Sequence, residues 1–327
     1  MIVAASILFG LILLAGGGDL LVRGAVQIAE RLGMSPMLIG ITLVGFGTST
    51  PELVTSVQAS LSGAPNIAIG NIVGSNIANV LVVIGATAVL QPIRIEPGAL
   101  RRDATVLMAS AIIFALLSAL MPLDRLVGAA FLLGVIAYVV YCIRDERTAA
   151  PDQHGALASM SEGRTMLEPG LVPPPGKLPS PVLSVVFVLA GLVGLVFGGS
   201  LLVSGSVSLA EMLGVPDTII GLTIVAIGTS APEIATSLVA AFRKQTDVAF
   251  GNVVGSNIYN LLFIGGATAL ATPVVVPQQI VAFDNPVMIA ATLALVVFAW
   301  SGLRIGRREG AVLLAGYAAY LVALILL

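Results

Sequence analysis

In this chain of 327 residues, 57% are hydrophobic and only 10% charged, and a mean hydropathy of +1.06 excludes a soluble globular protein. The formal net charge of −2 points to no macromolecular partner, so the lipid bilayer is expected as the surrounding phase and no nucleic acid is expected. Cys142 is the only cysteine and His154 the only histidine, which excludes an intrachain disulfide and any thiolate or His-based intramembrane metal or hydrolytic centre.

Apolar runs close to the ~20 residues that a helix needs to cross a bilayer predict ten spans. In chain order they are 2–29, 36–61, 67–91, 103–121, 124–142, 182–211, 217–242, 248–272, 285–301 and 310–327. The first has no charged leader and no cleavage pattern, and it aligns with the start of the sixth, so it reads as a retained helix and not a signal peptide. Between the fifth and sixth lies a stretch rich in Pro, Gly and Ser, 143–181, that cannot bury a core of its own and reads as a flexible tether. The expected organisation is a five-helix unit at 1–142, the tether, and a second five-helix unit at 182–327.

The two units are related. Residues 40–79 align without a gap on 221–260, and 20 of the 40 positions are identical. Five spans per copy is an odd number, so the second copy enters the membrane with opposite orientation. The expected fold is an all-α polytopic membrane protein built as a 5+5 inverted-topology repeat, an architecture that places transport sites near the midplane. Thirteen of the fifteen Lys and Arg residues fall on one face, with Arg125 on the other and Arg23 inside the first span. The positive-inside rule makes the basic face, with 143–181, cytoplasmic and both termini extracytoplasmic, as in a bacterial or archaeal inner (plasma) membrane protein.

Each copy sets a proline directly before a glutamate inside an apolar span: GTSTPE at 47–52 and GTSAPE at 228–233. Pro51 and Pro232 remove a backbone donor, so the second and seventh helices are expected to break, over about Gly45–Thr50 in the first copy. Carbonyl oxygens of Gly45, Thr48, Ala226 and Thr229 then become hard ligands for a cation. An ionised carboxylate within a membrane costs ~2.5 kcal/mol or more, so Glu52 and Glu233 need a partner. Arg23 has Asp19 one turn away as its own partner, which leaves both glutamates for a bound cation.

Helical spacing puts Thr48, Ser49, Thr55 and Ser56 on the face of Glu52, and Thr229, Ser230, Thr236 and Ser237 on that of Glu233. In the next helix of each copy, Asn71, Ser75 and Asn79, and Asn252, Ser256 and Asn260, recur every four residues as polar stripes. Ser75, Asn79, Ser256 and Asn260 read as ligands, whereas Asn71 and Asn252, nearer the span starts, read as hydrogen-bonding neighbouring helices.

The paired motifs GTSTPE with GNIVGSNIAN and GTSAPE with GNVVGSNIYN resemble the two alpha-repeats of the cation/calcium antiporter superfamily, in its sodium/calcium exchanger branch. The resemblance covers both halves. It implies a ten-helix antiporter in which Glu52 and Glu233 bind Ca2+ and Na+ alternately, with further oxygens from Thr48, Ser49, Thr229, Ser230, Ser75, Asn79, Ser256 and Asn260. It also implies that the first and sixth helices slide across the other eight. Ca2+ and Na+ are then transported substrates, and no cofactor is expected. Potassium-dependent members carry aspartate where this chain has Asn260, so K+ independence is expected, and the TSxPE signature favours Na+ over H+ as driving ion. Competition of the two ions for one set of oxygens implies coupled, electrogenic exchange. The rival readings are H+/Ca2+ antiport at the same glutamates and, in another class, a cation channel.

Overall fold

The structure is a computed structural model and describes residues 2–32, 34–61, 63, 65–95, 97–145, 180–212 and 226–326. Residues 146–179 of the expected tether, with His154, and residues 217–225 of the expected seventh span lie outside the described residues. The chain is helical almost throughout: α1 (Ile2–Leu32), α2 (Met37–Leu61), α3 (Pro65–Leu90), α4 (Pro97–Leu120), α5 (Arg125–Asp145), α6 (Pro181–Met212), α7 (Ala226–Thr229, resuming as Ala231–Phe242), α8 (Thr246–Ala271), α9 (Ile280–Gly302) and α10 (Arg307–Leu326). Among the described residues, eight helices are long and apolar enough to cross a membrane. The described part of α7 contributes a shorter apolar helix, Ala231–Phe242, and α10 opens on the charged run Arg307–Glu309.

Several helices begin before the expected spans. α4 starts at Pro97 and not 103, because Arg101, Arg102 and Asp103 lower local hydropathy without interrupting the backbone ladder. Arg102 binds Asp103 at 2.7 Å and Asp145 at 2.9 Å, and the Tyr138 hydroxyl donates to Asp103 at 3.0 Å, so this charged end staples α4 to α5. α9 starts at Ile280 with a π-helical turn that runs to Asp284. There the Tyr320 hydroxyl donates to Asp284 at 2.8 Å, and Asn285 donates to Ser118 at 2.8 Å, tying α9 to α10 and α4.

Two connector pairs carry the signature of the repeat. β1 (Ile93–Arg94) pairs antiparallel with β2 (Arg304–Ile305), and Leu123 bridges Val274. Val274 is the repeat image of Ile93, and Arg304 is the image of Leu123, each 181 residues along. The two pairs sit at opposite ends of α4 and α9. The same connection is therefore made once at each end of the bundle, as two copies of opposite orientation require.

The buried apolar side chains form two bodies. The larger joins α3, α4, α5, α8, α9 and α10 around Phe114, Leu107, Ile84 and Ile264. The smaller is built by α1 and α6, through Leu14, Leu21, Val22, Val188 and Leu195, where they face α2, α7 and the start of α8. α1 and α6 meet through glycines: a Cβ on Gly17 would lie 2.9 Å from the Gly191 oxygen, and one on Gly191 would lie 2.6 Å from the Leu21 nitrogen. Asp19 on α1 holds Arg23 at 2.8 Å and also Arg243 at the end of α7, which links α1 to α7.

α2 and α8 approach as closely. A Cβ on Gly255 would sit 2.5 Å from the Ile41 oxygen, and one on Gly251 would sit 2.5 Å from the Met37 oxygen, contacts with backbone that cannot swing aside. The substitution Gly255→Ala is expected to destabilise the purified protein by ~1–3 kcal/mol through overpacking. Gly134→Ala, whose Cβ would first meet Leu262 at 3.9 Å, is expected to leave the thermal unfolding midpoint unchanged. Equal midpoints for the two variants would refute the close α2–α8 contact.

Candidate cation-binding site

The prolines act as expected but over a shorter stretch. α2 is interrupted at Ser49, the C-cap of the Gly45–Thr48 segment, with φ −80° and ψ 3°, and the helix resumes at Thr50. α7 repeats this at Ser230, with φ −83° and ψ 6°. The backbone between Gly45 and Thr50 is not unwound: the Ser49 N–H still bonds Gly45 O at 3.1 Å, and the Leu53 N–H bonds Ser49 O at 3.1 Å. The reason is the position of the proline, which is tolerated at the first turn of the resumed helix. What it removes is the donor for the carbonyl four residues earlier, that of Gly47 or Gly228.

Immediately after each interruption stand Glu52 and Glu233, 1% and 0% exposed. The Ser49 hydroxyl on α2 donates to Glu233 Oε1 on α7 at 3.2 Å, and Ser256 on α8 approaches the same oxygen at 3.4 Å. Ser230 on α7 donates to Ser75 on α3 at 3.3 Å and is turned toward Glu52. The two carboxylates are near enough for each to feel the other's charge. Neither has an ion pair among the described residues, since Arg23 and Arg243 are both held by Asp19.

The residues around the glutamates are left with unspent hydrogen-bonding capacity. Among the described residues, fourteen buried side-chain nitrogen or oxygen atoms lack a hydrogen-bond partner, and seven belong to just four residues: both oxygens of Glu52, Oε2 of Glu233, and the full amide groups of Asn79 and Asn260. Buried polar groups in folded proteins are almost always paired, so this concentration marks a place built for something other than a protein partner. Asn79 and Asn260 each lie where α3 and α8 pass into a π-helical turn, Asn79–Ile84 and Tyr259–Ile264. Such turns re-aim side chains and favour functional sites. The first packs against the glutamate-bearing half of α7 and the second against that of α2.

Of the residues expected as ligands, Ser49 and Ser256 meet Glu233, and Ser230 meets Ser75, while Glu52, Asn79 and Asn260 are buried on the same four helices, α2, α3, α7 and α8. Thr48 is present too, but its hydroxyl donates to Asn252 Oδ1 at 3.0 Å, and the Thr229 hydroxyl donates to Asn71 Oδ1 at 3.1 Å. The Gly45 carbonyl already accepts the Ser49 N–H and is approached by Ser256 at 3.4 Å. Ala226 opens the described part of α7, one turn before Ser230. Asn71 and Asn252 bond neighbouring helices, as their position implied.

Two further buried polar residues, Asn76 and Asn257, lie beside the stripes. Asn257 donates to the Asn76 carbonyl at 3.4 Å, joining α8 to α3, and Asn76 donates to its own helix at Ile72 O at 2.8 Å. Thr236, fully buried, keeps an unpartnered hydroxyl. The asparagines were visible within the GSN motif, but they fall one residue off the four-residue stripe. A cavity of about 480 Å3 between α2, α6 and α7 is lined among others by Thr50, Thr55, Ser200, Thr229 and the two prolines.

Hard oxygens and two buried carboxylates with no ion pair among the described residues suit a cation, and comparison with known proteins agrees. The model of the family described as sodium/calcium exchanger protein matches residues 2–144 and 183–326. The sodium/calcium exchanger MaX1 of Methanosarcina acetivorans is 36% identical over 339 residues, covering 97% of each chain. The inner membrane protein YrbG of Escherichia coli is 28% identical over 327 residues, covering 99% of this chain and 97% of that protein. Among solved structures, the sodium-calcium exchanger NCX_Mj superposes with a TM-score of 0.83 over 99% of both chains at 30% identity. This chain belongs to the sodium/calcium exchanger family and is a membrane cation antiporter, not an enzyme.

Proposed function

We propose that the protein exchanges Na+ for Ca2+ at one shared site, with Glu52 and Glu233 as the charged ligands. The observation that carries this reading is the pair of buried carboxylates, three of whose four oxygens lack a hydrogen-bond partner among the described residues, on helices packed against those of the equally unpartnered Asn79 and Asn260 amides. Ca2+ takes six to eight oxygens at ~2.3–2.6 Å. Four carboxylate oxygens, the Asn79 and Asn260 carbonyl oxygens, and the hydroxyls of Thr48, Ser49, Ser75, Thr229, Ser230 and Ser256 supply that number, with carbonyls of Gly45 and Ala226 at the margin. Several Na+ ions use the same oxygens, so the two loads exclude each other, and exclusion at one site is what couples the fluxes. The stripe end at Asn260 is neutral, which supports exchange without K+.

Ten crossings in two oppositely oriented units, with 143–181 cytoplasmic and both termini outside, fit thirteen of the fifteen basic residues lying on one face of an inner membrane. The α1–α6 pair is the natural moving layer, because its two helices pack closely on each other through glycines and can shift as one unit.

In Na+-loaded proteoliposomes diluted into Na+-free buffer, 45Ca2+ uptake is expected to require internal Na+ and to drop to background in Glu52→Gln and in Glu233→Gln. Uptake driven by a proton gradient alone would reassign the protein to H+/Ca2+ antiport, and Ca2+ flux independent of any counter-ion would make it a channel.

With two glutamates, one Ca2+ is neutralised whereas three Na+ leave a positive charge. An inside-positive potential clamped with valinomycin is therefore expected to speed this uptake, since it drives net positive charge outward with the three Na+. A rate indifferent to voltage would rule out the 3:1 stoichiometry.

Protons compete for the same carboxylates, so lowering the pH protonates them and removes the charge that holds either ion. Exchange is expected to fall as the pH is taken from 8 to 5 and to be partly restored by raising Ca2+. An activity unchanged at pH 5 would contradict a site built on these two glutamates.

A further inference from the structure

Asn252 is fully buried on α8, and its side-chain amide is fixed at both ends. Its Nδ2 donates to the Ser237 hydroxyl at 3.0 Å and reaches the backbone carbonyl of Glu233 at 3.5 Å. A backbone carbonyl can only accept, so the nitrogen faces α7 and Oδ1 faces α2. There it receives the Thr48 hydroxyl at 3.0 Å. A hydroxyl has one proton and two acceptor lone pairs. With the proton committed to Asn252, the lone pairs of Thr48 are turned outward, on the side where Ser256 lies 3.5 Å away and leads on to Glu233. The other acceptor near the Thr48 hydroxyl, the Gly45 carbonyl, is more distant at 3.4 Å.

The same construction stands in the other repeat. Asn71 on α3 donates to Ser56 at 3.0 Å and accepts from Thr229 at 3.1 Å. Ser56, Asn71 and Thr48 are the images of Ser237, Asn252 and Thr229, each 181 residues along. Ser56 and Ser237 sit one helical turn beyond Glu52 and Glu233. Each asparagine therefore joins the helix of one glutamate to the interruption in the opposite repeat.

We propose that Asn71 and Asn252 are positioning residues that orient the hydroxyl protons of Thr229 and Thr48 away from the bound cation, so that both threonines meet it as oxygen donors. This rests on the exchange reading above. An unoriented hydroxyl would spend part of its time presenting a proton to a positive ion. The asparagines do not touch the ion; they act through the threonines.

The test is a double-mutant cycle on purified, detergent-solubilised full-length protein, with equilibrium 45Ca2+ binding and its displacement by Na+ as readouts and thermal unfolding measured alongside. Asn252→Ala is expected to raise the Ca2+ dissociation constant about tenfold, within the range found for outer-shell partners of metal ligands. In a Thr48→Val background, where no proton remains to be oriented, the same change is expected to add less than about twofold. A tenfold effect that persists in Thr48→Val overturns the proposal, as does a lowered unfolding midpoint with unaltered Ca2+ affinity. If Asn252→Ala does not fold, Asn71→Ala with Thr229→Val carries the same cycle with the same two outcomes. Failure of the wild type to bind either Ca2+ or Na+ overturns the exchange reading and this one with it, whereas wild-type binding with additive variants overturns the positioning role alone.

Discussion

The structure turns on one electrostatic constraint: two carboxylates are buried in the interior of a membrane protein, and no basic side chain among the described residues pairs with them. Transfer of such groups from water costs several kcal/mol each even after relaxation. Hydroxyls from Ser49 and Ser256 soften this for one oxygen of Glu233, while Glu52 has no hydrogen bond at either oxygen among the described residues. Arg23 and Arg243, the basic side chains of this region, are both spent on Asp19. A site in this condition is held ready for an ion from outside the protein, and the neighbouring Asn79 and Asn260 amides share the same lack of partners.

Everything around the glutamates serves to hold that arrangement with little freedom. The prolines interrupt α2 and α7 by a single residue each, which turns the helix axis while keeping the flanking ladders intact. Glycines let α8 press its backbone against α2, and π-helical turns set the two asparagine amides. The asparagine bridges are present twice, Asn252 between Ser237 and Thr48 and Asn71 between Ser56 and Thr229. The exchange of contacts between repeats makes the site a property of the assembled pair: Ser49 reaches Glu233, Asn252 spans from Ser237 to Thr48, and Asn257 bonds the Asn76 carbonyl.

The separation of the apolar interior into two bodies has a physical sense in the same terms. The larger body surrounds α3 and α8 and keeps their stripes in register. The α1–α6 pair packs on itself through glycines and shares the smaller apolar body with α2, α7 and the start of α8. Asp19 and Arg243 provide a directional link between α1 and α7, one that an apolar contact could not supply.

The amino-acid sequence by itself determined the class of the protein, the duplication, the opposed orientation of the halves and the identity of the two glutamates. Each of these depends on quantities that are additive along the chain: hydropathy summed over a window, charge counted by loop, residues matched at a fixed offset. Span edges were misjudged where charge and backbone disagree, at Arg101–Asp103, Asp284 and Arg307–Glu309, because a charged side chain lowers hydropathy but does not end a helix. The tertiary structure alone decided which oxygens are spent and which are free. Four-residue spacing showed that Asn71, Ser75 and Asn79 share a face; it could not show that the first is engaged by Ser56 and Thr229 while the last is engaged by nothing among the described residues. The extent of the interruption at Ser49, the π-helical turns and the cross-repeat pairing of Asn76 with Asn257 were equally out of reach. Hydrogen bonding at these positions is set by residues about 150 to 200 places away in the chain, and only the packed helices bring them within 3–3.5 Å.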